Sequence, residues 1–303
     1  MVTVTAEPAE PAGSAWPAVP APSNRGAAQR LLAERLGSAV EARWMVDHVL
    51  GPVPSTAPVG DDGWTTLTDL ARRRLAGEPL QYLLGTWAFR HLDLVVDLRA
   101  LIPRPETEQV VEVALGELRR LDRRAPVVVD LGTGTGAIAI SVAVESPARV
   151  WATDADPGAL ALAGVNLDRV AADRPEVAER VALAVGSWFS ALPADLAGRI
   201  DLVVSNPPYV AEGEWPHLDA EVHREPRQAL VAADGTDGTP GLADVEAVLR
   251  GAVAWLARPG AVVVELAPHQ AGAAAAMAEA IGFGDVRIER DLAGRYRAVV
   301  GRV

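Results

Sequence analysis

The stretch that most constrains this chain is the apolar run Val127-Val128-Val129, which passes directly into Asp130-Leu131-Gly132-Thr133-Gly134-Thr135-Gly136 and then into a helix-forming segment at 137–144. Consecutive β-branched residues without polar alternation fit a strand buried on both faces. Three glycines in five positions fit a tight turn whose backbone approaches a ligand closely. The same rhythm recurs downstream. Segments 149–153, 181–185, 200–205 and 261–266 read as apolar strands, with helical segments between most of them, notably 157–170. Such alternation predicts an α/β fold with a mostly parallel sheet covered on both faces. Segments 284–289 and 296–301 are placed to close that sheet as an antiparallel pair, and no internal repeat is visible.

Upstream the pattern is different. Ala28, Leu31, Leu32 and Leu36 share one helical face, as do Val40, Trp44, Val46 and Leu50. Residues 51–63 are rich in Pro and Gly and predict a loop, and 66–76 a further helix ended by Gly77. Alternation around Leu92, Leu94 and Val96 predicts a strand, and 89–102 a hairpin. Pro103 and Pro105 break it, and Thr107 with its neighbouring glutamates starts the next helix. The resulting division is a disordered tail at 1–25, a small helical domain at 26–88, a hairpin linker at 89–104 and the α/β domain at 105–303.

Composition narrows the function. The chain has no cysteine, which excludes disulfides, thiolate metal sites and cysteine nucleophiles. It also has no lysine. The net charge is −12, and residues 26–104 balance nine arginines against nine acids, so the surplus of acid falls on 105–303. That balance disfavours a duplex-binding surface, and no direct nucleic-acid binding is expected. The densest basic run, Arg72-Arg73-Arg74, reads as a solvated helix face. Among the five histidines only His217 and His223 are close, in a polar loop, so no metal site is expected. No uninterrupted apolar run has membrane-spanning length, and the Ala/Pro-rich start lacks a signal peptide's pattern. A cytoplasmic, monomeric enzyme is the expectation.

Two constellations carry chemistry. The first is the glycine turn. Its spacing is G-x-G-x-G rather than the dinucleotide G-x-G-x-x-G, and it follows an acid. Asp130 can hold the positive end of an amino-acid-like ligand, with Gly132, Thr133, Gly134, Thr135 and Gly136 passing beneath the rest of it. Asp154, ending the second strand, can accept hydrogen bonds from ribose hydroxyls. A nucleoside cofactor is the reading, with a nicotinamide dinucleotide as the alternative.

The second is Asn206-Pro207-Pro208-Tyr209, after the fourth strand, where open α/β sheets place ligands. An amide nitrogen is a poor nucleophile that needs orientation more than a strong base. The Asn206 side-chain oxygen and the Pro207 carbonyl can each accept one N–H, aiming the lone pair at an electrophile and stabilising charge developing on nitrogen. Tyr209 can pack over the planar group.

Those residues resemble the class I nitrogen methyltransferases. Glu78-Pro79-Leu80-Gln81-Tyr82, Ile102-Pro103-Arg104-Pro105-Glu106-Thr107-Glu108, Glu225-Pro226-Arg227-Gln228-Ala229-Leu230 and Asp291-Leu292-Ala293-Gly294-Arg295 narrow the resemblance to the peptide chain release factor glutamine methyltransferases, the HemK/PrmC family. The resemblance implies a Rossmann-like seven-stranded sheet and a helical N-terminal domain that helps engage the substrate. It implies S-adenosyl-L-methionine as cofactor and methylation of the Gly-Gly-Gln glutamine of release factors. By position, Gly132 to Gly136, Asp154, Trp188 and Asn206 would contact the cofactor, with Trp188 against adenine, and Asn206 to Tyr209 would hold the glutamine. Two features depart from the family: Ser187 stands where many relatives carry an acid, and the turn at 234–241 is extended. A paralogue acting on another protein, peptide or small-molecule nitrogen, or on adenine in nucleic acid, is the alternative.

Overall fold

The computed structural model describes residues 20–303, in two compact units: one ends at Leu84 and the other runs from Gly85 to Val303. Positions 1–19 of the expected tail lie outside the described residues, and Arg25, its last residue, already belongs to a helix.

The first unit is built from α1 (Arg25–Leu36), α2 (Ala39–Leu50), α3 (Asp61–Leu75) and the short α4 (Leu80–Leu84). The Asn24 side chain accepts the Ala27 amide at 3.0 Å and Ser38 accepts that of Glu41 at 3.2 Å, satisfying donors that a first turn leaves unpaired. Leu32, Met45, Val46 and Leu67 are fully buried together, joined by Trp64, Leu80 and Leu83. Helix α3 starts at Asp61, ahead of the expected position 66. Asp61 and Asp62 suit the positive end of the helix dipole. A Cβ on Gly63 would come within 2.9 Å of Leu50, so the glycine lets the first turn of α3 close on α2. The arginine run is paired inside this unit: Arg72 with Asp69 at 2.7 Å, Arg73 with Glu78 at 2.5 Å and Arg74 with Glu41 at 2.8 Å.

The second unit opens with a hairpin of β1 (Thr86–Phe89) and β2 (Leu92–Val95), registered Thr86 to Val95. It starts earlier and ends sooner than the expected 89–104. Arg90 takes a left-handed turn conformation (φ 49), and its guanidinium is held by Glu145 at 2.6 Å and Glu112 at 3.0 Å. Residues 96–104 contain no strand, and Pro103 has no N–H for a ladder. Pro105 then occupies the first turn of α5 (Pro105–Leu121), where a missing N–H costs nothing, and Glu106 and Glu108 face the dipole.

Strands β3 (Val127–Leu131), β4 (Arg149–Asp154), β5 (Val181–Val185), β6 (Ile200–Ser205) and β9 (Leu256–Glu265) run parallel, and β10 (Asp285–Arg290) and β11 (Tyr296–Arg302) join them beside β9, with β11 antiparallel to both neighbours. The order across this seven-stranded sheet is β10-β11-β9-β6-β3-β4-β5. Alternate residues go to opposite cores. Val128, Leu202, Val204, Val263 and Val300 pack with α5 and α6 (Ala137–Glu145), whereas Val129, Leu131, Val203, Val262 and Val264 pack with α9 (Ala243–Trp255) and α10 (Ala271–Ile281). This two-sided burial is why the strands carry no polar alternation, and each fully buried Val or Leu contributes roughly 1.5–3 kcal/mol. Helices α7 (Pro157–Asp173) and α8 (Pro175–Ala178) complete the connection from β4 to β5, and the two-residue strands β7 (Val210–Ala211) and β8 (Val231–Ala232) pair beside β6. The chain runs outward from β3 to β5 and then resumes on the other side of β3 with β6, which opens a crevice at the carboxyl ends.

Candidate active site

A cavity of about 630 Å³ occupies that crevice, lined by the carboxyl ends of β3 to β6 and by residues from 99–103, Thr107 and the segment after Glu225. Gly132, Thr133, Gly134 and Thr135 form one side. Gly132 (φ 72) and Gly134 (φ 56) are left-handed, a conformation that glycine alone adopts freely, and the nearest atoms to a Cβ on each lie 3.7 and 3.9 Å away. Space therefore remains beside this backbone for a ligand. Gly136 is not on the cavity lining; a Cβ there would meet Ile140 at 2.9 Å and Ala163 at 3.3 Å, so it serves close packing of α6.

Asp130 is also off the lining and wholly buried. Its Oδ2 accepts the Thr133 hydroxyl at 2.6 Å and the Ala139 amide at 3.1 Å, while Oδ1 has no partner among the described residues. Burial pushes its carboxyl up to about 7, against the pull of those two donors. Its place is therefore beneath the turn, bracing it, rather than facing the cavity. Asn166, which the sequence reading missed, braces the turn from the other side. Its Nδ2 donates to the Thr135 and Val95 carbonyls at 2.9 and 3.0 Å, and its Oδ1 accepts the Val95 amide at 2.7 Å.

Asp154 lines the cavity. Its Oδ2 accepts the Gly134 amide at 2.8 Å and its Oδ1 the Asp156 amide at 2.9 Å. Each oxygen retains lone-pair capacity for a ligand hydroxyl. Burial raises its pKa above the ordinary value. Trp188, in a left-handed conformation (φ 48) after β5, and Ser187 lie on the same lining, with the Trp188 ring 3.7 Å from a Cβ position on Gly132.

Asn206 and Pro208 line the cavity, whereas Pro207 and Tyr209 do not. The Tyr209 hydroxyl donates to Glu265 Oε1 at 3.4 Å, and the Tyr209 carbonyl accepts from Gln270 at 2.8 Å. Burial first, then the Glu265 charge, raises the phenol pKa. The Asn206 Nδ2 donates to Thr107 Oγ1 at 3.4 Å. Sequence reasoning also missed how 102–108 and 225–230 meet. Buried Glu225 accepts the Ile102 amide at 3.0 Å and pairs with Arg104, and Gln228 donates to Asp156 at 2.5 Å. Both segments were recognisable as family signatures, but nothing in their spacing revealed that Glu225 joins them. Asp244, at the start of α9, lines the cavity with its pKa raised by burial. The extended turn at 234–241 is off the lining. His223 contacts the Trp215 carbonyl at 2.9 Å, and no group of three metal-ligating side chains occurs among the described residues.

A parallel sheet with a reversed last strand, a glycine turn and an Asn-Pro-Pro-Tyr loop facing one cavity define a methyltransferase. In agreement, the Methyltransferase small domain family matches residues 115–232 and the PrmC N-terminal domain family matches residues 25–85. The fold is shared with a methyltransferase from Pyrococcus furiosus (TM-score 0.50, 18% identity, 71% of this chain and 90% of that one) and with the N-terminal domain of human METTL16 in complex with SAH (0.52, 14%, 91% and 93%). Relatives named release factor glutamine methyltransferase include those of Bordetella pertussis, 42% identical over 85% of this chain and 92% of its own length, and Deinococcus radiodurans, 38% identical over 87% and 90%. The chain belongs to the release factor glutamine methyltransferase family.

Proposed function

We propose that the chain methylates the side-chain amide nitrogen of the glutamine in the Gly-Gly-Gln motif of peptide chain release factors, with S-adenosyl-L-methionine as donor. The observation that carries this reading is that Asn206 shares one cavity with the Gly132–Gly134 backbone and Asp154. The residues suit that cofactor: open space beside two left-handed glycines, and a carboxylate with lone pairs to spare. Gly132, Gly134, Asp154 and Trp188 would hold it, and when bound it supplies an electrophilic methyl group.

The protein's own part is orientation. With its Nδ2 committed to Thr107, Asn206 keeps Oδ1 to accept one N–H of the target amide. The Pro207 carbonyl is proposed as the second acceptor. Two acceptors fix both hydrogens and direct the nitrogen lone pair, and the same oxygens stabilise the positive charge that grows on nitrogen. The new N–CH3 bond would replace the donor's S–CH3 bond, leaving a neutral thioether, and the nitrogen would then shed one of its protons to solvent water. Tyr209, with its hydroxyl on Glu265, supports this loop rather than covering the amide. The helical N-terminal unit is proposed to supply a second surface for the release factor.

The direct test mixes the enzyme and labelled cofactor with purified release factor or with its Gly-Gly-Gln→Gly-Gly-Ala variant. Label should enter the first and not the second. Equal labelling of both would exclude that glutamine, and labelling of neither would point to another protein, peptide or small-molecule nitrogen.

A further inference from the structure

One residue of the cavity lining holds Asn206 from outside the Asn206–Tyr209 loop. Thr107, in the first turn of α5, is 3% exposed and lines the cavity. It lies 99 positions from Asn206 in sequence, yet its hydroxyl receives the Asn206 Nδ2–H at 3.4 Å. Glu265, at the end of β9, is wholly buried and receives the Tyr209 hydroxyl at 3.4 Å on Oε1, while its Oε2 has no hydrogen-bond partner among the described residues and Thr107 is one of the groups that face it.

A side-chain amide is nearly symmetric in shape, so packing alone cannot decide whether its oxygen or its nitrogen faces a substrate. The choice matters here because a target amide presents N–H groups. An inward-facing oxygen accepts one, and an inward-facing nitrogen opposes donor to donor. A hydroxyl has one proton and two lone pairs. If that proton is committed to an ionised carboxylate, the hydroxyl can only accept from its other neighbour.

We propose that Thr107 is a positioning residue: its hydroxyl gives its proton to Glu265 and accepts the Asn206 Nδ2–H, which leaves the Asn206 oxygen as the atom offered to the target amide. The inference rests on the reading of Asn206 as a substrate acceptor. Glu265 faces Thr107 and Glu106 from α5, Tyr209 from the loop after β6 and Arg297 from β11. Burial raises its carboxyl to about 7, with Glu106 adding to the rise and Thr107, Arg297 and Tyr209 opposing it. Above that pH the carboxylate is an acceptor only and holds the chain of bonds in the productive sense. Below it, protonated Glu265 can donate to Thr107, whose proton is then free to attract the Asn206 oxygen away from the cavity.

The test compares full-length wild type with Thr107→Val, Thr107→Ser, Asn206→Ala, the Thr107→Val/Asn206→Ala double variant and Glu265→Gln, using release factor and labelled cofactor. Thr107→Val should lower kcat about tenfold or more, with KM and cofactor affinity within about twofold, because the lost interaction acts in the transition state. Thr107→Ser, which keeps the hydroxyl, should restore most of the rate. In the Asn206→Ala background Thr107→Val should add nothing, since there is no amide left to orient. Wild-type kcat should rise with pH through about 7, and Glu265→Gln should abolish that limb; a limb that persists belongs to another group, such as Asp130, and removes Glu265 from the proposal. Wild-type turnover in Thr107→Val alongside an inactive Asn206→Ala overturns the inference. So does an equal loss from Thr107→Val in both backgrounds, which marks a merely structural role. Undiminished turnover in Asn206→Ala would instead overturn the underlying reading of the site.

Discussion

At the scale of single residues, the structure separates side chains that face the cavity from those that hold them there. Asp154 does both, because its two oxygens pin the Gly134 and Asp156 amides at the edge of the cavity. Asp154→Asn keeps the size of the side chain but loses the charge and turns one acceptor into a donor facing an N–H. A buried donor left unpaired costs about 1–3 kcal/mol, so cofactor Kd should rise at least about tenfold by equilibrium binding. Wild-type affinity would mean that the turn holds its shape without this carboxylate. Asn206→Ala should behave in the opposite way, binding cofactor normally but losing about 10²–10³ in kcat, the usual effect of deleting one preorganised polar group. Full turnover in that variant would remove Asn206 from the chemistry. Both residues were legible in the sequence, because each directly follows an apolar strand. Asp130 was equally visible, but a carboxylate before a glycine turn can face either a ligand or the turn's own donors, and the bonds of its Oδ2 to Thr133 and Ala139 are detail that no spacing reveals. Thr107 and Asn166 were not legible as site residues at all, since their partners lie 99 and 31 positions away.

At the scale of elements, the sheet was readable because strands buried on both faces are uniformly apolar, and no helix boundary had to be known to see them. Helix starts were harder. Gly60 and Gly63 made 51–63 look like a continuous loop, while the close approach of Leu50 to Gly63 shows why a glycine sits inside α3. Two predictions belong here. Glu117 on α5 is 1% exposed and accepts hydrogen bonds from Arg120 of its own helix, Arg287 of β10 and Arg302 of β11. Burial opposes its ionisation, but the three guanidiniums together hold its carboxyl down at about 2, below the ordinary 4.5. A depressed carboxylate contributes stability that is complete above about pH 4.5 and is lost as pH falls through about 2. Glu117→Gln should therefore destabilise the protein by about 3 kcal/mol in urea at neutral pH and flatten the stability profile between those limits; an unchanged profile would assign the acid sensitivity to other carboxylates. The second concerns Gly251 on α9, where an added Cβ would lie 2.3 Å from the Phe189 ring. Helix propensity favours alanine over glycine by about 1 kcal/mol. Here the contact reverses that preference, because Phe189 is packed in the core and adjoins Trp188 on the cavity lining. Gly251→Ala should lower Tm and weaken cofactor binding together, and a stabilised variant with normal binding would show that Phe189 can move aside.

At the scale of the whole molecule, each unit has its own apolar core. Leu32, Met45, Trp64 and Leu67 close the first, and both faces of the sheet close the second. Every residue lining the cavity belongs to the second unit. Cofactor binding and protein recognition should therefore be separable by cutting at the boundary between Leu84 and Gly85. A chain of residues 85–303 should fold cooperatively, since its core is complete, and should bind cofactor within about threefold of the full protein, a difference of about 0.7 kcal/mol. If the helical unit supplies a docking surface, the same fragment should show a raised KM for intact release factor. A short Gly-Gly-Gln peptide, which spans only the cavity, should be methylated equally by the fragment and the full chain. Equal KM for intact factor in both proteins would leave the helical unit without a part in recognition. A fragment that aggregates or binds no cofactor would show that the second core depends on the first.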